Sequence, residues 1–305
     1  MKFSLKTKAT ALVTAVVFVV FGVLGYVRHE RLAAELLQVQ SEQQAALAET
    51  VAAELADKLE GHLTILEQSA GPLEAGLMDD GERRSRLLTR LGPARALFDG
   101  VALVALDGTV LEHEPPIVGG RANLIDRDYF TRVLSSGRGT ISAPVQSRTG
   151  YGAAVAMAAP LREADGRMVG VLVAALKLER SNMLGRLAQA TVGRTGHFEV
   201  VTGGAAPVFV VHPDPTRLLA PVPRAVRTDG RRQDVVTRTP VRTVGWELRV
   251  VLPADEAFAP VARARERLWW ILAGLAVLCA TGTWIGMHFL LRPLATLREI
   301  GRAHV

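Results

Sequence analysis

The sequence predicts an α+β fold in which a long N-terminal helix supports two antiparallel-sheet modules, with a transmembrane helix on either side. Three observations predict it. Two charge-free apolar runs, Ala9 to Val27 and Leu268 to Leu291, bracket a long polar segment. Between Arg28 and Ser69, Leu and Val recur at three- and four-residue steps with Glu and Gln between them, which is the period of a helix. From Val101 to Leu252, short β-type runs are separated by Asp-Gly and Gly-Gly turns.

Residues 1–8 carry Lys2, Lys6 and Lys8 and read as a cytoplasmic N-terminus. Residues 9–27 form the first span, roughly 28 Å long at 1.5 Å per residue, against a hydrocarbon core of about 30 Å. A cleavable signal peptide would have a shorter apolar stretch and a small-x-small cleavage site. Gly25-Tyr26-Val27-Arg28-His29 offers none, so the run reads as an uncleaved anchor. A second span at 268–291, with Trp269, Trp270 and Trp284 as interfacial anchors, returns the chain to the side it started from. Arg292 and Arg298 follow it. The opposite flanks, Arg28, Arg31, Arg263, Arg265 and Arg267, are basic as well, so the bulk of the middle segment does more than charge to orient the chain.

Residues 28–69 continue outward as a stalk helix of roughly 60 Å, ended by Gly71-Pro72. Its apolar stripe suits packing on its own domain, a homodimer seam, or both along different parts of its length. Residues 70–178 make the membrane-distal module. A helix over 82–97 is interrupted at Gly92-Pro93, and Val101 to Ala105 and Thr109 to His113 pair through the Asp107-Gly108 turn. Asp126 caps a short helix that runs through Leu134. Strands follow at 140–145, 151–160 and 168–177, the last two joined by Asp165-Gly166. Residues 179–194 connect, as a helix, to a smaller membrane-proximal module at 195–253, with strands at 197–202, 208–212, 234–239 and 246–252. Residues 254–267 lead as a helix into the second span.

The 305 residues are 49% hydrophobic and 5% aromatic, which allows one or two globular cores besides the spans. The net charge of +6 is spread over loops and flanks, so no nucleic-acid partner is expected. Cys279, the single cysteine, sits in the second span, which excludes a disulfide in the exported segment and any thiolate metal site. His113, His197 and His212 are scattered among strands without helical spacing and read as structural, so no metal and no cofactor is expected. No nucleophile elbow, phosphate loop or His-Glu-x-x-His is present, so the chain is not expected to be an enzyme.

The candidate ligand-binding residues lie at Leu124 to Phe130. Arg127, at the start of a short helix, offers a planar fork of donors to a carboxylate, aided by the partial positive charge of the helix N-terminus. Asp126 flanks it, and Tyr129 and Phe130 supply pocket walls. Arg148 and Tyr151, on either side of the Thr149-Gly150 loop, are weaker candidates for the same cavity. The plain alternative is that Arg127 pairs with Asp126 or Asp128 on the surface and Phe130 fills the core.

Residues 28–267 resemble the double Cache sensor regions of bacterial transmembrane receptors. The resemblance rests on the long helix leaving the first span, Asp126-Arg127-Asp128-Tyr129-Phe130, Ile141-Ser142-Ala143-Pro144, Asp165 to Leu172, and Gly245-Trp246-Glu247-Leu248 leading to Leu252-Pro253. It implies two stacked modules with PAS-like antiparallel sheets on one long helix, the distal module binding a small molecule. One subgroup of the family binds amino acids through Arg-x-Trp-Tyr, a later tyrosine and an aspartate near the last strand. Here Arg127 matches the arginine, Tyr129 and Phe130 stand for Trp and Tyr, and Val145 and Ala175 or a neighbour occupy the other two positions. Loss of the aspartate removes the partner of an α-ammonium, so the resemblance implies a carboxylate or other small anion instead.

Residues 292–298 are similar to the opening of a HAMP linker, and 299–305 read as a non-native tail of a chain truncated before its output domain. Ala254 to Pro260 resembles the equivalent stretch of cyclase-type receptors, so the expected output is a diguanylate cyclase, with a histidine kinase or chemotaxis signalling helix as alternatives. The expected setting is the bacterial inner membrane, with 28–267 periplasmic or extracellular and lipid and a second copy of the chain as partners. A membrane-anchored scaffold without a ligand is the reading of another class.

Overall fold

The computed structural model describes residues 5–117, 122–148, 152–223 and 234–300. The chain divides into two compact units, Gln43–Glu256 and the remainder, Met1–Glu42 with Ala257–Val305. Helix α1 (Leu5–Ser69) contributes residues to both, without a break at Gly61.

In the larger unit, α1 is followed by α2 (Gly81–Arg90), whose first turn is capped by the Asp80 carboxylate accepting from the Glu82 and Arg83 amides. Helix α3 (Gly92–Leu97), with Pro93 in its first turn, comes next, so the break expected at Gly92-Pro93 is present. Strands β1 (Gly100–Ala105) and β2 (Val110–Glu114), helix α4 (Asp128–Ser136), and strands β3 (Thr140–Gln146), β4 (Ala153–Arg162) and β5 (Met168–Lys177) build the first sheet. It is antiparallel, in the order β2-β1-β5-β4-β3. Helix α5 (Met183–Gln189) leads to a second antiparallel sheet of β6 (Thr191–Val192), β7 (Gly196–Val201), β8 (Phe209–Val211), β9 (Val235–Val241) and β10 (Trp246–Leu252). Its order is β6-β7-β10-β9, with β8 also paired to β7. The architecture is thus mixed α+β with a long N-terminal helix and two antiparallel sheets. The helix expected across Glu179 to Thr191 is shorter. Asn182 caps α5 by accepting from the Leu184 and Gly185 amides, and the β-branched Thr191 and Val192 pair with His197 and Gly196 instead.

Strand periodicity sends alternate residues of each sheet to opposite faces. Leu103, Val155, Met157, Leu161, Leu172, Ala174 and Leu176 of the first sheet share one core with Leu55, Leu59 and Leu66 of α1. On the other face Ala102, Val104, Ala156, Ala158, Val171 and Val173 pack with Tyr129, Phe130 and Val133 of α4. Burial on both faces explains why β4 reads Ala-Ala-Val-Ala-Met-Ala-Ala, a continuous apolar run rather than an alternating one. The second sheet turns Phe198, Val200, Trp246, Leu248 and Val250 into the core that also takes Ala48 and Ala52 of α1.

Short helix α6 (Ala254–Ala257) precedes α7 (Ala259–Ile300), which with the N-terminal part of α1 makes the smaller unit. Among the described residues no helix is long and apolar enough to cross a membrane. The spans expected at 9–27 and 268–291 fall in part on side chains outside the described residues; of the expected tail at 299–305, residues 299–300 end α7 and 301–305 lie outside the described residues.

Candidate ligand-binding site

Arg127 owes its place to the β1–β2 turn. Gly108 has φ +84°, and a Cβ there would lie 2.5 Å from the Ile125 amide nitrogen, so the chain before α4 runs hard against the turn. The Gly108 carbonyl accepts from Leu124 N (2.8 Å), and Asn123 bridges the two segments by donating to the Asp107 carbonyl and accepting from Ile125 N. Arg127 N then donates to the Leu124 carbonyl at 3.0 Å, which makes Arg127 itself the N-cap of α4 with extended backbone angles.

The expectation that Asp126 caps this helix is therefore corrected. Asp126 lies one residue too early, and its carboxylate is gripped by both Arg148 terminal nitrogens, Nη2 to Oδ2 at 2.6 Å. Arg148 also donates to the Asn123 carbonyl at 2.9 Å. This fork holds the Asp126 carboxyl below, and the Arg148 guanidinium above, their ordinary values. Both are exposed and satisfied by each other, so they brace the edge of the site. Tyr151 lies outside the described residues.

The Arg127 guanidinium donates through Nη2 to the Gln146 carbonyl at 2.8 Å, while its Nε is buried and without a hydrogen-bond partner. It does not pair with Asp126 or Asp128; the latter takes Arg132 at 3.1 Å. Phe130 is fully buried and Tyr129 is 4% exposed, both against the sheet. Burial pushes the Tyr129 phenol up to about 12, against the opposing pull of the Arg127 charge, so it is a neutral hydroxyl at physiological pH.

Register shows what else shares this face. Ala102 pairs with His113, Gly100 with Ala175, Ala154 with Lys177 and also with Val145. Partners in an antiparallel ladder point to the same side. One half of the face is filled by α4. Beyond α4 the same face carries the small residues Ala154, Ala175 and Gly100, and register brings His113 and Lys177 to it. The acidic groups at the start of α4 are both paired, Asp126 with Arg148 and Asp128 with Arg132. Burial lowers the pKa of His113, with the Pro115 carbonyl and Glu114 opposing, so the imidazole is neutral at pH 7. His113 and Lys177 were not singled out from sequence as ligand contacts; only strand register joins them to Arg127.

The family model for the Cache domain matches residues 29–261. The chain belongs to the Cache domain family. The Cache fold also appears in similar solved structures. The ligand-binding domain of the Pseudomonas fluorescens chemoreceptor CtaA in complex with L-isoleucine superposes with TM-score 0.58 at 18% identity, covering 76% of this chain and 98% of that one. The corresponding domain of Pseudomonas aeruginosa PctC in complex with GABA gives 0.56 at 22% identity, covering 70% and 99%. Pseudomonas aeruginosa PctB in complex with L-Arg gives 0.55 at 19%, covering 73% and 98%. No match is found among curated proteins.

The second Cache sheet brings together three residues that sequence spacing left apart, His197, Glu199 and His212. The signal available in the sequence was the alternation His197-Phe198-Glu199, which on a strand puts imidazole and carboxylate on one face.

Proposed function

We propose that the chain is the extracytoplasmic sensor region of a bacterial two-pass receptor, binding a small anion, with a carboxylate first, on the α4 face of its first sheet. The observation that carries this reading is the buried Arg127 Nε, which has no hydrogen-bond partner among the described residues. A buried donor without an acceptor costs about 1–3 kcal/mol, and a carboxylate bound there would satisfy it. Lys177 adds a second positive charge, and no acidic group among the described residues of this face is free to hold an ammonium. That distinguishes the site from an amino-acid pocket, although the relatives CtaA and PctB are described with amino acids.

The spans at 9–27 and 268–291 are part of the proposal, supported by the two charge-free runs and their Trp and Lys/Arg flanks. So is a cytoplasmic output reached through the HAMP-like stretch at 292–298, with a diguanylate cyclase as first choice on the likeness of Ala254 to Pro260. A chemotaxis output is the second reading, favoured by the chemoreceptor relatives; a histidine kinase is the third.

The test is a thermal-shift screen of the full chain in detergent against monocarboxylates, dicarboxylates, amino acids and amines. A ligand at 100 times its dissociation constant should stabilise the fold by about 2.7 kcal/mol. Organic acids should give the shift and amines should not. Arg127→Ala should abolish it. A bound acid indifferent to that substitution, or a screen in which only α-amino acids bind, would sink the anion assignment.

A further inference from the structure

The second sheet carries a separate cluster on the face turned away from α1, the same face that forms the candidate pocket in the first sheet. Phe198 and Val200 of β7 point into the core with α1, so His197 and Glu199 point the other way. Strand β8 pairs antiparallel with β7, Val211 opposite Val200. Continuing that register by one residue sets His212 opposite Glu199 on the same side.

The side chains converge. His197 Nε2 lies 3.4 Å and His212 Nε2 3.5 Å from the same Glu199 oxygen, and one ligand atom from each of the three falls within 4.8 Å of the others. Two ligands on a tetrahedral ion with bonds of about 2.0–2.1 Å stand about 3.4 Å apart, so little movement would admit an ion. The group sits in an open cleft of about 730 Å³ lined also by Thr191, Thr195, Pro213 and Val251. His212 and Glu199 are 8% and 13% exposed, so much of their hydration is already removed.

The surroundings allow coordination. His212 Nδ1 is 2.9 Å from the Asp214 amide nitrogen and 3.2 Å from the Asp214 carbonyl oxygen. With Nδ1 as acceptor the Nε2 proton faces Glu199. With the proton moved to Nδ1, that nitrogen donates to the Asp214 carbonyl and Nε2 presents a lone pair, the arrangement that orients metal-bound imidazoles. Arg249 stands opposite Glu199 in the ladder, but its Nε is held by Glu247 at 2.6 Å. Among the described residues, Arg217 is a further cation lining the cleft.

We propose that His197, Glu199 and His212 form a site for a divalent transition-metal ion, Zn²⁺ first, with the remaining coordination position open to the cleft. Two imidazoles and one carboxylate suit borderline ions over Ca²⁺ or Mg²⁺, which take oxygen ligands. The ion would tie β7 to the segment following β8 and stabilise the second module independently of any ligand on the first.

The test uses the full, untagged chain in detergent, stripped with a chelator. Calorimetric titration with ZnCl₂ should show one saturable site per chain and a rise in melting temperature. His197→Gln and Glu199→Gln should each lose the saturable binding and the rise, while the half-buried α1 variant His62→Gln, outside the cluster, keeps the saturable binding and its rise over the same variant melted in chelator. Melting in chelator shows whether each variant folds like the stripped wild-type chain. Independently of any variant, Co²⁺ bound to the wild-type chain should show the intense d–d absorption of a four- or five-coordinate ion with nitrogen ligands. Absence of saturable binding, binding unchanged in both folded variants, or a spectrum like that of hydrated Co²⁺ would overturn the site.

Discussion

At the scale of single residues, the proposed site turns on one guanidinium that is partly unsatisfied among the described residues. Arg127 is fixed by its own backbone as the N-cap of α4 and by Gln146, yet one of its donors has nothing to bond. Lys177 and His113 stand on the same face through the β4–β5 and β1–β2 ladders. A charge-assisted contact is worth about 1.5–3 kcal/mol, so Lys177→Gln should weaken binding of a bound acid about tenfold or more, measured by calorimetry. His113 supplies a pH effect of definite sign. Burial lowers its pKa from 6.5, so it gains a proton, and a positive charge, only below that value. A ligand still ionised there should bind more tightly as pH falls below 6.5, and His113→Ala should flatten that rise. Arg127 and Tyr129 were legible in the sequence because a helix start and its first turn are local features. Lys177, 50 residues away in sequence, and His113 were not, because only cross-strand register brings them alongside. Asp126 misled because a carboxylate before a helix is a common cap, and the sequence does not show Arg148 reaching over to take it.

At the scale of elements, the legible parts were those with one strong period. The stripe of α1 and the hairpins β1–β2 and β4–β5 follow from spacing and turn residues. The faces of β4 did not, since a run apolar on both sides carries no alternation to assign. One side chain of α6 reaches back to the second sheet. Glu256 in α6 accepts from the Arg194 amide at 2.5 Å, the Thr195 amide at 3.0 Å and the Thr195 hydroxyl at 2.6 Å, closing the β6–β7 turn onto the end of β10. A Cβ at Gly193 would lie 2.5 Å from the same carboxylate, so only glycine allows the turn to approach. The hydroxyl of Thr195 and the two amides lower the Glu256 pKa below its ordinary 4.5. The sign follows directly. A depressed carboxyl contributes stability that is complete above the unfolded value and is lost as pH falls through the folded one. Melting temperature should therefore fall more steeply below about pH 4.5 in the wild-type chain than in Glu256→Gln, which should already be less stable at pH 7. Parallel acid limbs for the two proteins would remove Glu256 from the account.

At the scale of the whole molecule, the proposed signalling role requires both sheets to lie on one side of a bilayer and both termini on the other. Residues 9–27 and 268–291 are each free of charge, and an uninterrupted helix of about 20 residues at 1.5 Å per residue crosses a hydrocarbon core of about 30 Å. Helical backbone is observed through both runs. Two crossings would put residues 28–267 on one side and both termini on the other, and residues 29–261 of that segment are the part that the Cache family model matches. The prediction is direct. With Cys279→Ser removing the one native thiol, Asp165→Cys in the exposed β4–β5 turn should react with a membrane-impermeant maleimide in spheroplasts that keep the inner membrane sealed. Lys6→Cys and Arg298→Cys should react only after the membrane is opened. Labelling of all three positions before permeabilisation would mean that the runs do not span. Labelling at 6 and 298 with protection at 165 would invert the topology and turn the pocket toward the cytoplasm, where Arg127 would meet a different set of anions. Protection of position 6 with labelling at both 165 and 298 would leave a single anchor, and then ligand binding could not be passed back across the membrane through α7.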